Sequence, residues 1–453
     1  MTASKYIVEE KENSMLCDAI AGYQLPIVFD KENVSDGKRR LLSLFSGCGG
    51  MDIGFEGGFI CNRKSINPSS GWIESDVNSK WVKVKETFFS TVFANDILAE
   101  ARATWISYMG QRGKSPEIYH FGSIVDYVKR FQEEGIDEFP EGIDIVTGGF
   151  PCQDFSVAGK RKGFDSQKDH NGKMRDESVP TEESRGKLYI WMKQVIEITK
   201  PKMFIAENVK GLVNLGDVKR IIQNDFSSAG HNGYIVLEPQ VLHAADYGVP
   251  ESRERVIFIG IRKDALKPEA LAALQSDVIP EEYNPYPKPT HSYNAKGTDL
   301  LHPVVCRDVL EDLPEPEFSK DPSHINYSHA KYMGTHCQGQ KEISLNKIGP
   351  TIRSEHHGNI EYRRLSKEHG GCIDEEISKG LPERRLTPRE CALIQTFPPD
   401  YPFVRYSNYS RTRFAVSSSG AYKVIGNAVP PVLAYNIAMR IQSIWPLYFD
   451  ECK

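Results

Sequence analysis

Short, continuous apolar runs separated by longer amphipathic stretches set the pattern of this chain from Arg40 to about Arg262. The runs cover residues 41–45, 91–94, 143–147, 203–206, 234–242 and 256–261, and they are rich in Val, Ile and Phe. A strand buried on both faces loses its polar alternation, so each run reads as an interior strand. Between several of them lie helix-like stretches, residues 187–199 and 215–228. That alternation predicts an α/β domain built on a parallel, helix-covered sheet, with an α+β arrangement as the alternative. From about Lys263 to Tyr422 the periodicity dissolves. Pro280, Pro285, Pro287, Pro289, Pro303, Pro314 and Pro316 interrupt it, and the region reads as a smaller, loop-rich second domain. Order returns at Val424 with a Gly-Asn turn, two prolines and an apolar helix over 432–441. The expected divisions are therefore an N-terminal arm (1–38), a large domain (39–262), the loop-rich domain (263–422) and a C-terminal segment (423–453). Two stretches of the large domain, about 60–90 and 164–184, look like insertions.

Composition narrows this only a little. With 40% hydrophobic and 26% charged residues the chain is ordinary for a globular enzyme. No apolar run approaches the ~18 residues of a membrane span, so no membrane partner is expected. The glutamate-containing N-terminus lacks the apolar core of a secretory signal. Nine scattered cysteines without a CxxC pair argue for a reducing, cytoplasmic setting and against a metal site. The net charge of −5 means that any nucleic-acid contact must rest on local positive charge.

Four places carry candidate chemistry. Residues 41–55, LLSLFSGCGGMDIGF, run from a strand into Gly47, Cys48, Gly49 and Gly50 and then into a helix-like segment. Such a turn lets backbone approach a ligand closely, although glycine-rich turns also serve packing, and the spacing is not that of GxGxxG dinucleotide binders. Asp96, ending the next strand of the series, could bond ribose hydroxyls or cap the following helix. In the second place the run 143–147 empties into GGFPCQDFSVAGKRKG, residues 148–163. Cys152 there is either an inert thiol or, beside Lys160, Arg161 and Lys162, an activated one, and Pro151 stiffens its backbone. In the third, MFIAENVKGL (203–212), Glu207 is a helix cap or an acid held protonated by burial. In the fourth, YGVPESRERVIFIG (247–260), Arg253 and Arg255 stand two apart before a strand and could orient a polar base or a phosphate, or form a solvated edge.

Taken in order, LFSGCGG, GGFPCQ, RGKLY, ENVKGL, SRER, RRLTPRECALIQTFP and VIGNAVPP resemble the DNA (cytosine-5) methyltransferase family, bacterial type, over about residues 40 to 440. The resemblance implies an S-adenosylmethionine-dependent, Rossmann-like large domain with a smaller target-recognition domain, the C-terminal segment returning to complete the catalytic domain. Carbon 5 of cytosine is a poor nucleophile, and the family activates it by adding a cysteine thiolate to carbon 6. Cys152 matches that cysteine and Glu207 the glutamate that hydrogen-bonds ring nitrogen 3. Arg255 matches the residue that holds the base, and Arg253 a supporting partner. For S-adenosyl-L-methionine the similarity points to Phe45, Gly47, Cys48, Gly50, Asp96, Gly149, Pro151, Leu188 and Asn427. The target base must leave the duplex stack to be reached.

The chain departs from the family pattern in places. Glu251 stands where many members carry glutamine, and Ser123 stands where an aspartate often contacts the adenine. The charged stretch Phe164 to Ser184 is longer than usual and reads as a solvated insertion or a modified closing loop. Target choice is expected within 263–385. Lys331, Lys341, Lys347, Arg353, Arg363, Arg364 and His336, His356 and His357 there offer phosphate and base-edge contacts. The expected partner is double-stranded DNA, with a cognate restriction endonuclease acting separately or none, and the expected state is a monomer. Transfer RNA as substrate, and a catalytically inactive DNA-recognition module, are the competing readings.

Overall fold

The computed structural model describes residues 37–151, 188–214, 217–296, 298–354, 360–407 and 410–450. Eleven strands precede the loop-rich region: β1 (Arg39–Leu44), β2 (Ile60–Asn62), β3 (Ile73–Asp76), β4 (Trp81–Val84), β5 (Phe89–Asp96), β6 (Tyr119–Phe121), β7 (Ile145–Gly149), β8 (Met203–Val209), β9 (Tyr234–Val236), β10 (Gln240–His243) and β11 (Glu254–Arg262). Eight of them form one sheet in the order β10-β11-β8-β7-β1-β5-β6, with β9 also pairing β11. The strands β6, β5, β1, β7 and β8 are mutually parallel, whereas β11 runs antiparallel to β8 and to both β9 and β10. The apolar run at 234–242 is thus two short strands broken at residues 237–239.

Neighbouring side chains on each central strand feed opposite layers. Leu41, Ile145, Ile205 and Ile257 belong to one core cluster, while Leu42, Val146, Phe204 and Val256 belong to the other. The first layer is covered by α1 (Gly50–Glu56), α2 (Ala99–Gln111) and the long C-terminal helix, the second by α3 (Ile124–Lys129), α4 (Leu188–Thr199) and α5 (Val218–Ser227). Burial on both faces explains why these strands read as unbroken apolar runs. After β1 the chain builds β5 and β6 on one side and then β7 and β8 on the other. The carboxyl ends of β1 and β7 therefore lie side by side at a topological switch point, where open α/β sheets bind ligands.

Residues 60–84 fold as a three-stranded antiparallel sheet, β2-β4-β3. It braces the loop-rich region: Asn62 Nδ2 donates to Asp308 O at 2.9 Å, and Lys64 and Lys80 pair with Asp308 and Asp312 at 2.7 and 2.8 Å. Beyond β11 come short helices and a two-stranded sheet, then α6 (Pro388–Ile394), a second two-stranded sheet, α7 (Ser418–Asn427) and α8 (Pro431–Tyr448). The capping box of α6 joins Thr387 and Glu390. Helix α8 packs across α1 at very short range, since a Cβ on Gly54 would sit 2.4 Å from Ala434 Cβ.

The structure corrects one expectation about charge. Arg363 and Arg364 are buried, not presented to a partner. Arg364 pairs with Glu315 and, at 2.6 Å, with Glu376; Arg363 pairs with Glu376; Arg384 pairs with Glu390 at 2.8 Å. Arg353 is held by Glu361 at 3.0 Å. The carboxylates paired with Arg363 and Arg364 lie 12 to 49 residues away along the chain, while Glu361, the partner of Arg353, stands in the same stretch, and the fold gathers these side chains into an internal ionic lattice. Lys331, Lys341, Lys347 and His336 are exposed, and His356 and His357 lie outside the described residues.

Candidate active site at the carboxyl edge of the sheet

Strand β1 ends in a strained turn. Phe45 takes a left-handed conformation (φ 52°), as do Gly47 (55°) and Gly49 (80°), before α1 begins at Gly50. The turn is tied down from several sides. Ser46 N–H donates to Asn95 O and Gly47 N–H to Asp96 Oδ2, both at 2.9 Å. The hydroxyls of Tyr119 and Tyr401 donate to Gly47 O and Cys48 O at 3.1 and 2.7 Å. Beneath it, buried Asp52 accepts from Ser43 Oγ at 2.5 Å and Trp105 Nε1 at 2.6 Å, and burial pushes its carboxyl up to about 6. The Cys48 thiol points inward to Val424 O at 3.3 Å, and burial pushes it up. A Cβ on Gly50 would lie 2.2 Å from Val429 O, so this glycine admits the C-terminal segment.

Gly47 faces open space: a Cβ there would meet no atom within 4 Å among the described residues. Asp96 stands at its side, half-buried, its Oδ1 accepting from Leu98 N–H at 2.9 Å. Burial raises the Asp96 carboxyl, while the N–H groups of Leu98 and Gly47 pull it back. Asn427 is exposed at the end of α7, and Phe45 packs partly against the second core layer. Leu188, buried at the start of α4, joins that layer with Phe150. Ser123 caps α3, accepting from Val125 N–H at 3.3 Å.

The second half of the site is built on β7, β8 and β11. Gly149 pairs with Glu207 across the parallel ladder, and a Cβ on Gly149 would lie 2.8 Å from Glu207 Oε2. Asn208 Nδ2 donates to Phe150 O at 3.1 Å, holding the Phe150–Pro151 backbone against β8. Glu207 is 7% exposed, with Oε1 2.7 Å from Arg255 Nε. Burial raises its carboxyl, and Arg255 first and Arg253 next draw it down. Arg253 is fully buried and acts as a clamp. Its Nη1 donates to Ile352 O at 3.1 Å, and its Nη2 to Gly426 O and Ala428 O at 2.9 and 2.7 Å. The two carbonyls flank Asn427, so one guanidinium ties the loop-rich region and the cofactor-side segment to the strand that carries Arg255. Cys152 lies outside the described residues, as does the stretch 164–184; Pro151, one residue before it, is half-buried beside this cluster.

A family model for C-5 cytosine-specific DNA methylase matches residues 39–443. The chain belongs to that family. The Type II methyltransferase M.BspRI of Lysinibacillus sphaericus is 31% identical over 455 residues, spanning 99% of this chain and 91% of the relative. M.BsuRI of Bacillus subtilis, another Type II methyltransferase, is 30% identical over 431 residues, with 94% and 84% covered. The solved Entamoeba histolytica methyltransferase EhMeth shares the fold at a TM-score of 0.50 and 14% identity, covering 90% of this chain and 99% of that one. This chain is a DNA cytosine-5 methyltransferase with a mixed α/β fold. Within the described residues no helix is long and apolar enough to cross a membrane.

Motif reading missed the supports of the glycine turn. Asp52 lies inside the quoted motif and Tyr401 just after another, but only the fold brings Tyr119, Trp105 and Tyr401 around residues 46–50.

Proposed function

We propose that this enzyme methylates carbon 5 of cytosine within one specific duplex sequence, as the modification half of a restriction system, acting as a monomer in the cytoplasm beside a separate endonuclease. The observation that carries the catalytic reading is the buried Glu207–Arg255 pair, held against the backbone of Gly149. S-adenosyl-L-methionine would supply an electrophilic methyl on its sulfonium. Gly47, with open space before it, the adjacent Asp96 carboxylate and exposed Asn427 suit an adenosine and amino-acid cofactor of that kind. Phe45, Cys48, Gly50, Gly149, Pro151 and Leu188 shape its surroundings.

Glu207, whose carboxyl burial raises, is the proposed acid that donates to ring nitrogen 3 of a flipped cytosine, and Arg255 fixes both the carboxyl and the base. Cys152 is the proposed nucleophile. Its thiolate adds to carbon 6, the electron pair reaches carbon 5, and carbon 5 takes the methyl. Loss of the carbon 5 proton then expels the thiolate. Arg253 positions Arg255 through the clamp described above. Residues 263–422 are proposed as the recognition domain, with exposed Lys331, Lys341 and Lys347 toward phosphates.

Expression in a methylation-deficient bacterium, followed by sequencing that detects 5-methylcytosine, tests the reading. A single enriched motif supports it. Soluble, cofactor-binding protein that leaves no methyl mark on DNA would refute it and turn attention to transfer RNA.

A further inference from the structure

Arg385 is 1% exposed, yet every hydrogen bond its side chain makes among the described residues goes to a backbone carbonyl. Its Nε donates to Ala330 O at 2.7 Å and its Nη2 to Lys331 O at 3.2 Å. Its Nη1 donates to Gly339 O at 2.8 Å and also to Ile360 O. The residue pairs with Tyr362 across a short ladder, and the guanidinium lies 4.2 Å from the centre of that ring. Tyr362 Oη donates to Ala330 O as well, at 3.2 Å. Arg363, Arg364 and Arg384 meet glutamates instead. An apolar side chain would fill the same space without the cost of desolvating a charge. A planar fork of five N–H donors does what an apolar group cannot: it holds several backbone segments in one geometry.

What it holds is a loop. Ala330 and Gly339 bound residues 331–338, so one guanidinium closes that loop at its base. Inside it, Met333 N–H donates to Gln340 Oε1 at 2.9 Å and Cys337 N–H to Gly334 O at 3.3 Å, while the Tyr332 ring stacks on His369 at 4.2 Å. Held in this way, the loop still leaves Lys331, Met333, Thr335 and His336 exposed, Met333 by 60%. Between Asp321 and Glu342 the sequence has Lys331, Lys341, three histidines and no carboxylate, in a chain of net charge −5. The stem is tied to the catalytic side: Ser328 N–H donates to Tyr422 Oη at 3.2 Å, and Tyr422 sits in α7, the helix that ends at Asn427. A fixed loop of this kind suits duplex DNA, with Lys331 toward phosphate, His336 toward base edges and Met333 toward an apolar base surface.

We propose that Arg385 is a positioning residue for DNA recognition: by closing the base of loop 331–338 it sets the place from which Lys331, Met333 and His336 meet the duplex. The proposal rests on residues 263–422 being the recognition domain. Arg385 acts through the loop and makes no DNA contact of its own.

The test is steady-state methylation of the cognate duplex, and of duplexes with one base pair changed, at saturating cofactor. The proteins are the wild type, Arg385→Lys, the loop-tip variant Met333→Ala, His336→Ala, and the combination of all three changes. Lysine keeps the charge but cannot reproduce the fork. Arg385→Lys should raise KM for the cognate duplex about tenfold and weaken its preference over changed duplexes, with kcat and cofactor affinity kept within about twofold. A merely structural role would lower the unfolding midpoint and the active fraction, hence kcat, and leave KM and the preference alone. The loop-tip variant changes exposed side chains only and should show the same DNA defect. Adding Arg385→Lys to it should do little more, because both act through one loop. Where Arg385→Lys folds poorly, Tyr362→Phe removes only the bond to Ala330 O and should raise KM about threefold. A loop-tip defect beside an unchanged KM in Arg385→Lys or Tyr362→Phe, or effects that multiply in the combined variant, overturns the proposal alone. A loop-tip variant with wild-type KM and preference removes this loop from DNA recognition and takes the proposal with it.

Discussion

Replacing Arg253 by methionine separates a clamp from a substrate contact. The side chain is fully buried and donates to three backbone carbonyls, Ile352 O, Gly426 O and Ala428 O. Ala428 O keeps a second donor, Gln395 Nε2 at 2.7 Å, but no other donor is recorded for Ile352 O and Gly426 O among the described residues. Each buried carbonyl left unpaired costs ~1–3 kcal/mol. Glu251 also loses the cation beside it, and breaking a buried pair from one side costs ~3–5 kcal/mol. Protonation of Glu251 and entry of water relieve part of this, so the net loss should be about 5 kcal/mol, comparable with a whole domain's stability. Urea unfolding followed by circular dichroism measures it. The double variant Glu251→Leu, Arg253→Met removes the orphaned charge and should recover ~2–3 kcal/mol of the loss. A variant that keeps its unfolding midpoint and loses only kcat would refute the clamp and make Arg253 a direct base contact.

Three further outcomes follow from the same geometry. Gly50→Ala forces a Cβ onto Val429 O and should cost several kcal/mol of stability, whereas Gly47→Ala, facing open space, should weaken cofactor binding in calorimetry with ~1 kcal/mol of backbone strain. Asp52 has a folded-state value raised to about 6, so the stability it contributes is complete below about pH 4 and is lost as pH rises through about 6; Asp52→Asn should flatten that slope, of order 3 kcal/mol at most, in melts taken from pH 4 to 8. Lys341→Ala should lower the salt dependence of DNA binding by about one unit of slope, while Arg364→Met, cut from its buried pairs with Glu315 and Glu376, should unfold the region and leave that slope unchanged in whatever protein stays folded.

The interior strands were legible because two-sided burial writes itself as continuous apolar runs, and the glycine turn because φ above zero selects glycine at 47 and 49. Phe45, at φ 52°, carries no such mark. The break at 237–239 was hidden, since Leu237 is apolar and buried while leaving the strand. Ionic pairing was least legible of all. Arg363 and Arg364 find Glu315, Glu376 and Glu390 only through the fold, so a run of positive charge looked like a DNA surface. The same holds at the active site: SRER marks Arg253 and Arg255 as a pair, but only the fold separates a clamp on Gly426 and Ala428 from a partner of Glu207.

The central claim is covalent catalysis by Cys152 on a base held at Glu207 and Arg255. Duplex DNA carrying 5-fluorocytosine at the methylated position tests it most directly, because the fluorine on carbon 5 cannot leave as a proton does and the cysteine stays bound. With cofactor present, mass spectrometry of the digested complex should find one DNA-linked peptide, joined through Cys152, and Cys152→Ala should give none. An enzyme that methylates normal DNA yet forms no adduct, or forms it at another cysteine, would contradict the account.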